Sequence, residues 1–357
     1  MAAAARDSEH EFDRFLDLSK RIGTDILKTQ GAGGNTSLKN ADTMWVKASG
    51  TWLAQAGDSD IMVPVRVPPL VEALREGDPR AEKATDFVIA ALNASGLRPS
   101  IETSFHAALP NAVVAHYHCV NTIALSVLKE RDRILKAKLD ATGLNWAAVP
   151  YRRPGTPLAR EVDLAAATRP DVLILYNHGI IVTGETVDDV ARRIERVSSA
   201  LEMPARETPP PSIETLERLS LGSAYAPAAD RGSHQVALSP ENVRLALGGS
   251  MYPDHVIFLG TTIGLMEEGQ SLSAYLERLA LAGESAPKMI LVPGAGVLLS
   301  NELTAGGQVM ARCLAEVVAR IPDGAEVHYL TEADEYELTN WEAEQYRQAL
   351  DRGAARS

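Results

Sequence analysis

Apolar residues recur at helical spacing near the start of the chain. Phe12, Phe15, Leu16, Ile22 and Ile26 stand among charged residues and predict an amphipathic opening helix. It ends before Gly31-Ala32-Gly33-Gly34, because clustered glycines cost a helix more backbone entropy than it recovers. The β-formers from Thr43 to Ala48, bounded by Asp42 and Gly50, predict a strand. Arg80 to Asn93 predicts a helix, and Ser100 caps another from Ile101 to Leu109, with Pro110 beyond it. Ala112 to His118 predicts a strand and Asn121 to Leu128 a short helix. Val172 to Tyr176 and Ile180 to Thr183 predict strands around Asn177-His178-Gly179, before a long helix from Val187 to Glu202. Strands alternating with helices indicate a layered α/β domain.

The pattern changes at Pro204. The run Pro209-Pro210-Pro211 predicts a stiff extended connector. Beyond it, Asp254 to Gly260, Lys288 to Val292 and Val297 to Ser300 predict strands, and Thr304 to Arg320 a helix. The expected organisation is a first domain over 1–203, a connector over 204–238 and a C-terminal α/β lobe over 239–357. Ile174 to Thr183 aligns with Ile290 to Ser300 if one residue is inserted, and Pro110 to Val114 resembles Pro253 to Ile257. Two readings fit this echo: a degenerate internal repeat, or an α/β idiom used twice. In a repeat, Leu259, Thr261 and Ala295 stand where His116, His118 and His178 stand, so the second lobe lacks those side chains.

Composition narrows the partners. The 357 residues carry 35 Lys+Arg against 47 Asp+Glu, a formal charge of −12, and 45% are hydrophobic. A core for two domains, or one enlarged domain, is available. The acidic balance argues against nucleic-acid and membrane-surface binding, which need a basic face, but not against one small phosphorylated substrate. Cys119 and Cys313 lie far apart among apolar neighbours, which excludes a disulfide scaffold and suits a reduced compartment. Met1 to Lys20 has no apolar signal-peptide run, and no stretch approaches about 18 apolar residues. A soluble cytoplasmic protein is expected.

The chemistry gathers on histidines. His116 and His118 are i and i+2 on a strand, so both imidazoles project from one face about 7 Å apart along the backbone. Such a pair is either a solvated strand face or two ligands converging on one ion. His178, at the end of an apolar strand and before a glycine, favours the second reading. Three buried histidines are costly unless their nitrogens are held, and a His₃ set with an open position is a catalytic zinc arrangement. Glu102 precedes His116 by fourteen residues, at a helix start. It is either a carboxylate complementing the helix dipole or a general acid/base beside the metal. His106, four residues on, reads as a partner for Glu102 or a buried hydrogen-bonding residue. The segment Gly31 to Ser37 fits neither dinucleotide nor P-loop signatures. It is either a flexible turn or a nest of N–H groups for a phosphate monoester, which Lys47, Ser49 and Gly50 would complete.

Taken in order, these pieces resemble the class II aldolase/adducin-head family. The match runs through Gly33-Gly34-Asn35-Thr36-Ser37, Lys47-Ala48-Ser49-Gly50, Pro99-Ser100-Ile101-Glu102, His106, His116-Tyr117-His118, Tyr151 with Pro154-Gly155, and Asn177-His178-Gly179. It covers about residues 12–203. The wording of Trp45 to Gly50 and Ser100 to Thr103 is similar to the aldolase portion of rhamnulose-1-phosphate aldolase/alcohol dehydrogenase-type bifunctional proteins. Ile290 to Leu299 and Glu332 to Gln345 resemble the segment joining their halves, and with the chain ending at Ser357 a stand-alone aldolase portion is expected. The resemblance implies a three-layer α/β/α domain with a central, mainly antiparallel sheet, beside the smaller lobe. It implies that His116, His118 and His178 hold a divalent metal, first zinc, with manganese, cobalt or iron as alternatives. It implies Glu102 as the proton-transfer carboxylate, and Gly34, Asn35, Lys47, Ser49, Gly50 and Ser100 as the residues binding the substrate phosphate. The family often has Ser or Thr directly before the Glu, where this chain has Ile101.

The implied reaction is cleavage of a ketose 1-phosphate to dihydroxyacetone phosphate and an aldehyde through a metal-stabilised enediolate. A sugar-phosphate decarboxylase, epimerase or dehydratase is the alternative on the same scaffold. An adducin-like non-catalytic module is a second, against which the intact His and Glu set argues. The family further implies a homo-oligomer, tetramer or dimer, with a neighbour completing each site.

Overall fold

The computed structural model describes residues 2–341, 349–351 and 353. They form two compact units, one of Met1–Ser126 with Glu130–Glu202 and one of Val127–Lys129 with Met203–Ser357.

The first unit is built on a seven-stranded sheet. Its strands are β1 (Asn35–Asn40), β2 (Thr43–Lys47), β3 (Met62–Arg66), β4 (Val113–Tyr117), β5 (Trp146–Val149), β6 (Val172–Leu175) and β7 (Gly179–Gly184). Their order is β3-β2-β1-β4-β7-β6-β5. Every pair is antiparallel except β5 with β6. The helices are α1 (Ala2–Thr24), α2 (Val67–Glu76), α3 (Thr103–Ala108), α4 (Val120–Ser126), α5 (Arg131–Asp140), α6 (Thr156–Ala166) and α7 (Val187–Leu201). Strands β4, β6 and β7 are buried throughout, which is why they read as apolar runs without alternation.

Strand alternation sorts the faces. Met44, Val46, Val63, Val65, Val114, Leu173, Leu175 and Ile181 share one core cluster with Leu70 and Leu74 of α2, Phe105 of α3, and Leu158 and Val162 of α6. His116 has the parity of Val114, so it leaves the sheet on the side covered by α3. Tyr117 takes the opposite face, toward Glu195 and Ser198 of α7. The sheet is mainly antiparallel and layered on both sides, as expected of the three-layer α/β/α domain.

The second unit carries a smaller mixed sheet. Its strands are β8 (Tyr225–Pro227), β9 (Gly264–Leu265), β10 (Met289–Val292) and β11 (Gly296–Ser300), in the order β8-β11-β10-β9. Helices α8 (Ile213–Ser220), α9 (Pro240–Leu247), α10 (Leu272–Leu281), α11 (Ala305–Arg320) and α12 (Glu332–Thr339) complete it. Residues 213–238, read from composition as connector, hold α8, β8 and a 3₁₀ stretch from Arg231 to Ala237. Residues 342–345, at the end of the segment compared with bifunctional proteins, lie outside the described residues.

Two sequence expectations change. Arg80 to Asn93 is not one helix but three 3₁₀ turns, Pro79–Glu82, Thr85–Phe87 and Ala90–Leu92. Ala84 has φ +55°, and a left-handed residue cannot continue a right-handed helix. Asp254 to Gly260 is not a strand but a helical turn, His255–Leu259, stopped by Gly260 at φ +87°. A short, wholly buried apolar run carries no period that tells the two apart. The proposed equivalence of Leu259 and Thr261 with His116 and His118 therefore falls.

The echo itself survives on a better alignment. The order and pairing directions of β8-β11-β10-β9 reproduce those of β4-β7-β6-β5: antiparallel, antiparallel, then parallel. Leu175 pairs with Gly179 and Val292 with Gly296, so the hairpins match without an inserted residue. By register Pro227, Ala229 and Ala295 take the places of His116, His118 and His178.

Candidate metal centre

Strand β4 sets His116, and His118 follows just beyond its end. The β6–β7 hairpin returns His178 to the same place. Its turn needs Asn177 at φ +54°, where the Asn177 N–H donates to Ser126 Oγ at 3.2 Å and its side-chain oxygen accepts from Arg131 at 3.2 Å. The residue after His178 must be glycine, since a Cβ on Gly179 would stand 2.6 Å from the Tyr117 carbonyl oxygen.

The three rings make a near-equilateral triangle, with centroids 5.0, 4.9 and 5.0 Å apart. The Nε2 atoms of His116 and His118 are 3.2 Å apart. Nitrogens about 2.0–2.1 Å from one tetrahedral ion stand about 3.3–3.4 Å from each other, so the spacing fits a shared cation. His116 donates its Nδ1–H to the Ile180 carbonyl at 3.0 Å, which leaves the Nε2 lone pair facing its neighbours. Among the described residues this is the one group of three His, Cys, Asp or Glu side chains close enough to ligate together. All three are buried. The residues present therefore fit a divalent metal.

Glu102 faces the same point from the N-cap position of α3. Its Oε2 lies 3.4 Å from His116 Nε2 and its Oε1 3.4 Å from His178 Nε2. Burial works to raise its pKa, but the three imidazoles and the Asn35 amide outweigh that and hold the carboxyl below its ordinary range.

Asn35 enters because β1 pairs with β4 so that Asn35 lies directly opposite His116. Its side-chain nitrogen donates to Glu102 Oε2 at 2.8 Å and to Ser100 Oγ at 3.0 Å. Its side-chain oxygen meets His106 Nε2, while His106 Nδ1 lies 2.8 Å from Ser37 Oγ. His106 is thus the buried hydrogen-bonding residue of the two readings, not the partner of Glu102. Burial, then His116 and Lys39, push its pKa well below the usual value, so it is neutral. Phe105 stacks on His106 and sets its edge against His116.

The remaining candidates lie on neighbouring segments. Gly34 has φ +63°, and a Cβ there would stand 2.9 Å from the His116 carbonyl oxygen. Segments 47–50 and 98–100 run side by side: Ser49 N–H donates to Arg98 O at 2.9 Å and Ser100 N–H to Lys47 O at 3.0 Å. Gly50 has φ +76°. Lys47 is buried, and its ammonium donates to the carbonyls of Ala32 at 3.0 Å and Thr51 at 2.5 Å. The structure therefore brings Gly34, Asn35 and Glu102 against the histidines and joins Ser100 to them through Asn35 and Glu102, while Lys47 ties the Ala32 and Thr51 loops together. The link from His106 through Asn35 escaped sequence reasoning; only the β1–β4 register exposes it.

The class II aldolase and adducin N-terminal domain model matches residues 17–204. A Bacillus subtilis protein named uncharacterized oxidoreductase YuxG is 30% identical over 181 residues, 47% of this chain and 26% of that protein. The 3-oxo-tetronate 4-phosphate decarboxylase of Escherichia coli strain K12 is 29% identical over 119 residues, 30% of this chain and 56% of that enzyme. The N-terminal class II aldolase domain of a conserved protein from Thermoplasma acidophilum superposes with a TM-score of 0.46 at 28% identity, over 53% of this chain and 91% of that one. The matches thus span about a quarter and about half of the two curated relatives.

Proposed function

The chain belongs to the class II aldolase and adducin N-terminal domain family, and from that premise we propose that it is a metal-dependent lyase acting on a phosphorylated sugar. The favoured reaction is cleavage of a ketose 1-phosphate to dihydroxyacetone phosphate and an aldehyde. One observation carries the reading: three imidazole nitrogens and the Glu102 carboxylate converge on one buried point, with Glu102 3.4 Å from both His116 and His178. A non-catalytic module has no use for such a set, whose burial costs stability.

His116, His118 and His178 would hold the cation through Nε2, and zinc suits a His₃ donor set best. A cation there supplies Lewis-acid stabilisation of negative charge developing on oxygen, worth several kcal/mol. Glu102 holds and moves the proton at the carbon that changes partners, within reach of the same point. Asn35 and Ser100 orient that carboxylate. The N–H groups of the Gly34 and Gly50 loops, with the Ser49 and Ser100 hydroxyls, bind the phosphate monoester. Apolar packing behind β4, including Phe105, keeps water from the far side of His116.

The similarity to a 3-oxo-tetronate 4-phosphate decarboxylase supports a second reading, loss of carbon dioxide from a phosphorylated oxo-acid. The two separate in one experiment. Purified protein is incubated with ketose 1-phosphates and with phosphorylated 3-oxo-acids, while aldehyde and carbon dioxide are followed. Aldehyde release supports the aldolase, and carbon dioxide alone the decarboxylase. A protein that binds no stoichiometric metal and turns over neither class would be a structural module. Assembly as a homotetramer or dimer belongs to the same proposal and is read by light scattering.

A further inference from the structure

We propose that His106 is a positioning residue which, through Asn35, fixes the orientation of both Glu102 and Ser100; the inference rests on the lyase reading above and deepens it.

The hydrogen bonds admit one polarity. An ionised carboxylate only accepts, so the Asn35 atom 2.8 Å from Glu102 Oε2 is its NH₂ group. The Asn35 side-chain oxygen then faces His106 Nε2, and that nitrogen must carry the proton. A neutral imidazole has one N–H, so His106 Nδ1 is an acceptor and takes the Ser37 hydroxyl proton across 2.8 Å. Ser37 and His106 are both wholly buried, so water cannot substitute for either partner. The chain runs Ser37 to His106 to Asn35 to Glu102, each member donating to the next.

The same polarity decides what Asn35 and Ser100 can offer a substrate. Asn35 has two N–H donors, one spent on Glu102 and the other on Ser100 Oγ at 3.0 Å. Its amide therefore has none left for a phosphate, although it sits beside the phosphate nest. Ser100 Oγ accepts from Asn35 and from the Glu102 N–H at 3.2 Å. With its acceptor sites engaged, its own O–H must act as a donor, which is what a phosphate oxygen requires. Asn35 thus serves Glu102 and Ser100 at once, and His106 keeps it from turning over.

Without the His106 donor the Asn35 side-chain oxygen loses that partner, and the amide is held only at its NH₂ end by Glu102 and Ser100 Oγ. An amide held at one end swings more widely, and every excursion that turns its oxygen toward Glu102 is repulsive and shifts the carboxylate from its place between His116 and His178. Displacing groups that orient a metal site in this way typically costs ten- to a hundredfold in activity.

The test compares the full-length wild type with His106→Leu, His106→Gln and Ser37→Ala. Gln keeps an N–H near the position of Nε2, whereas Leu has none. Three quantities are read: metal content, solvent exchange of the Asn35 side-chain N–H protons by NMR, and kcat with KM. We expect exchange at least about tenfold faster in His106→Leu at unchanged metal content. We expect kcat about ten- to a hundredfold lower, at least tenfold of the larger loss recovered in His106→Gln, and a smaller loss of the same kind in Ser37→Ala. Equal losses in the Leu and Gln variants would overturn the proposal, as would unchanged Asn35 exchange in His106→Leu. If His106→Leu does not fold, the comparison of Ser37→Ala with wild type decides by the same exchange reading. A wild type that turns over no sugar phosphate counts against the lyase reading alone, because the exchange measurement still decides the positioning claim.

Discussion

His178 and Ala295 occupy the same place in two hairpins of the same register, each directly before the glycine that opens the second strand. The turns agree in detail: Asn177 has φ +54° and Gly294 φ +75°, one residue earlier in each. The second unit has the same strand order and pairing directions as β4-β7-β6-β5 while carrying Pro227, Ala229 and Ala295 where the first has three imidazoles. Among the described residues the cluster that could hold a metal therefore lies in the first unit alone.

That asymmetry gives the first prediction. Elemental analysis should find about one divalent ion per chain in the wild type and almost none after His178→Ala or chelation. Turnover should fall at least about a hundredfold in both cases, because no side chain replaces the lost ligand charge stabilisation. Ala295→His should leave the metal content at the wild-type level, since one imidazole without the other two makes no site. A second ion appearing in Ala295→His would show that the repeated hairpin retains more of the site than its register indicates.

The hairpin also depends on a close approach. A Cβ at Gly179 would lie 2.6 Å from the Tyr117 carbonyl oxygen, against backbone that has no flexible end to yield. Gly179→Ala should lower stability by about 1–3 kcal/mol and shift His178 away from His116. Urea unfolding measures the first effect and metal affinity the second. Wild-type metal affinity in a destabilised protein would mean that the hairpin moves without carrying His178.

Lys47 invites a different expectation from the one its motif suggests. A lysine beside glycine loops reads as a phosphate ligand, but its ammonium is buried against the carbonyls of Ala32 and Thr51. Lys47→Met has a similar length and removes those donors. It should cost about 1–3 kcal/mol of stability by leaving buried carbonyls under-satisfied. With the Gly31–Gly34 and Ser49–Thr51 loops no longer tied together, KM for a phosphorylated substrate should rise more than kcat falls. A large fall in kcat with KM unchanged would assign Lys47 to the reaction rather than to the loops.

What could be read from sequence follows the range of the interactions. His116 and His118 declare a shared strand face by their spacing, and His178 by its place before glycine, because both signals are local. The bond from His106 to Asn35 spans 71 residues and depends on the pairing of Asn35 with His116. Strand β1 reads Asn-Thr-Ser-Leu-Lys-Asn, a polar run resembling a loop, and becomes a strand because β2 and β4 pair with it from both sides. The turn at His255–Leu259 fails for the opposite reason. Five consecutive buried residues show no period, so only their packing decides between strand and helix.

His255 in that turn supplies a pH prediction. It is 1% exposed, and burial lowers its pKa from 6.5 to about 4. The folded protein holds it neutral, while the unfolded chain takes up a proton as the pH falls through about 6.5. The unfolded state then binds more protons, so stability declines with falling pH from about 6.5 to about 4 and levels off once the folded protein is protonated too. The loss attributable to this residue amounts to about 3 kcal/mol at most, and none of it is felt above about pH 7.5. His255→Gln keeps a polar side chain and removes the titration. Its unfolding free energy, measured in urea from pH 8 to pH 4.5, should differ from that of the wild type by a constant above about pH 7.5. Below about 6.5 the difference should drift in favour of the variant, because the wild type alone carries this loss. A difference that stays constant over the whole range would mean that His255 gains a proton in the fold as readily as in the unfolded chain.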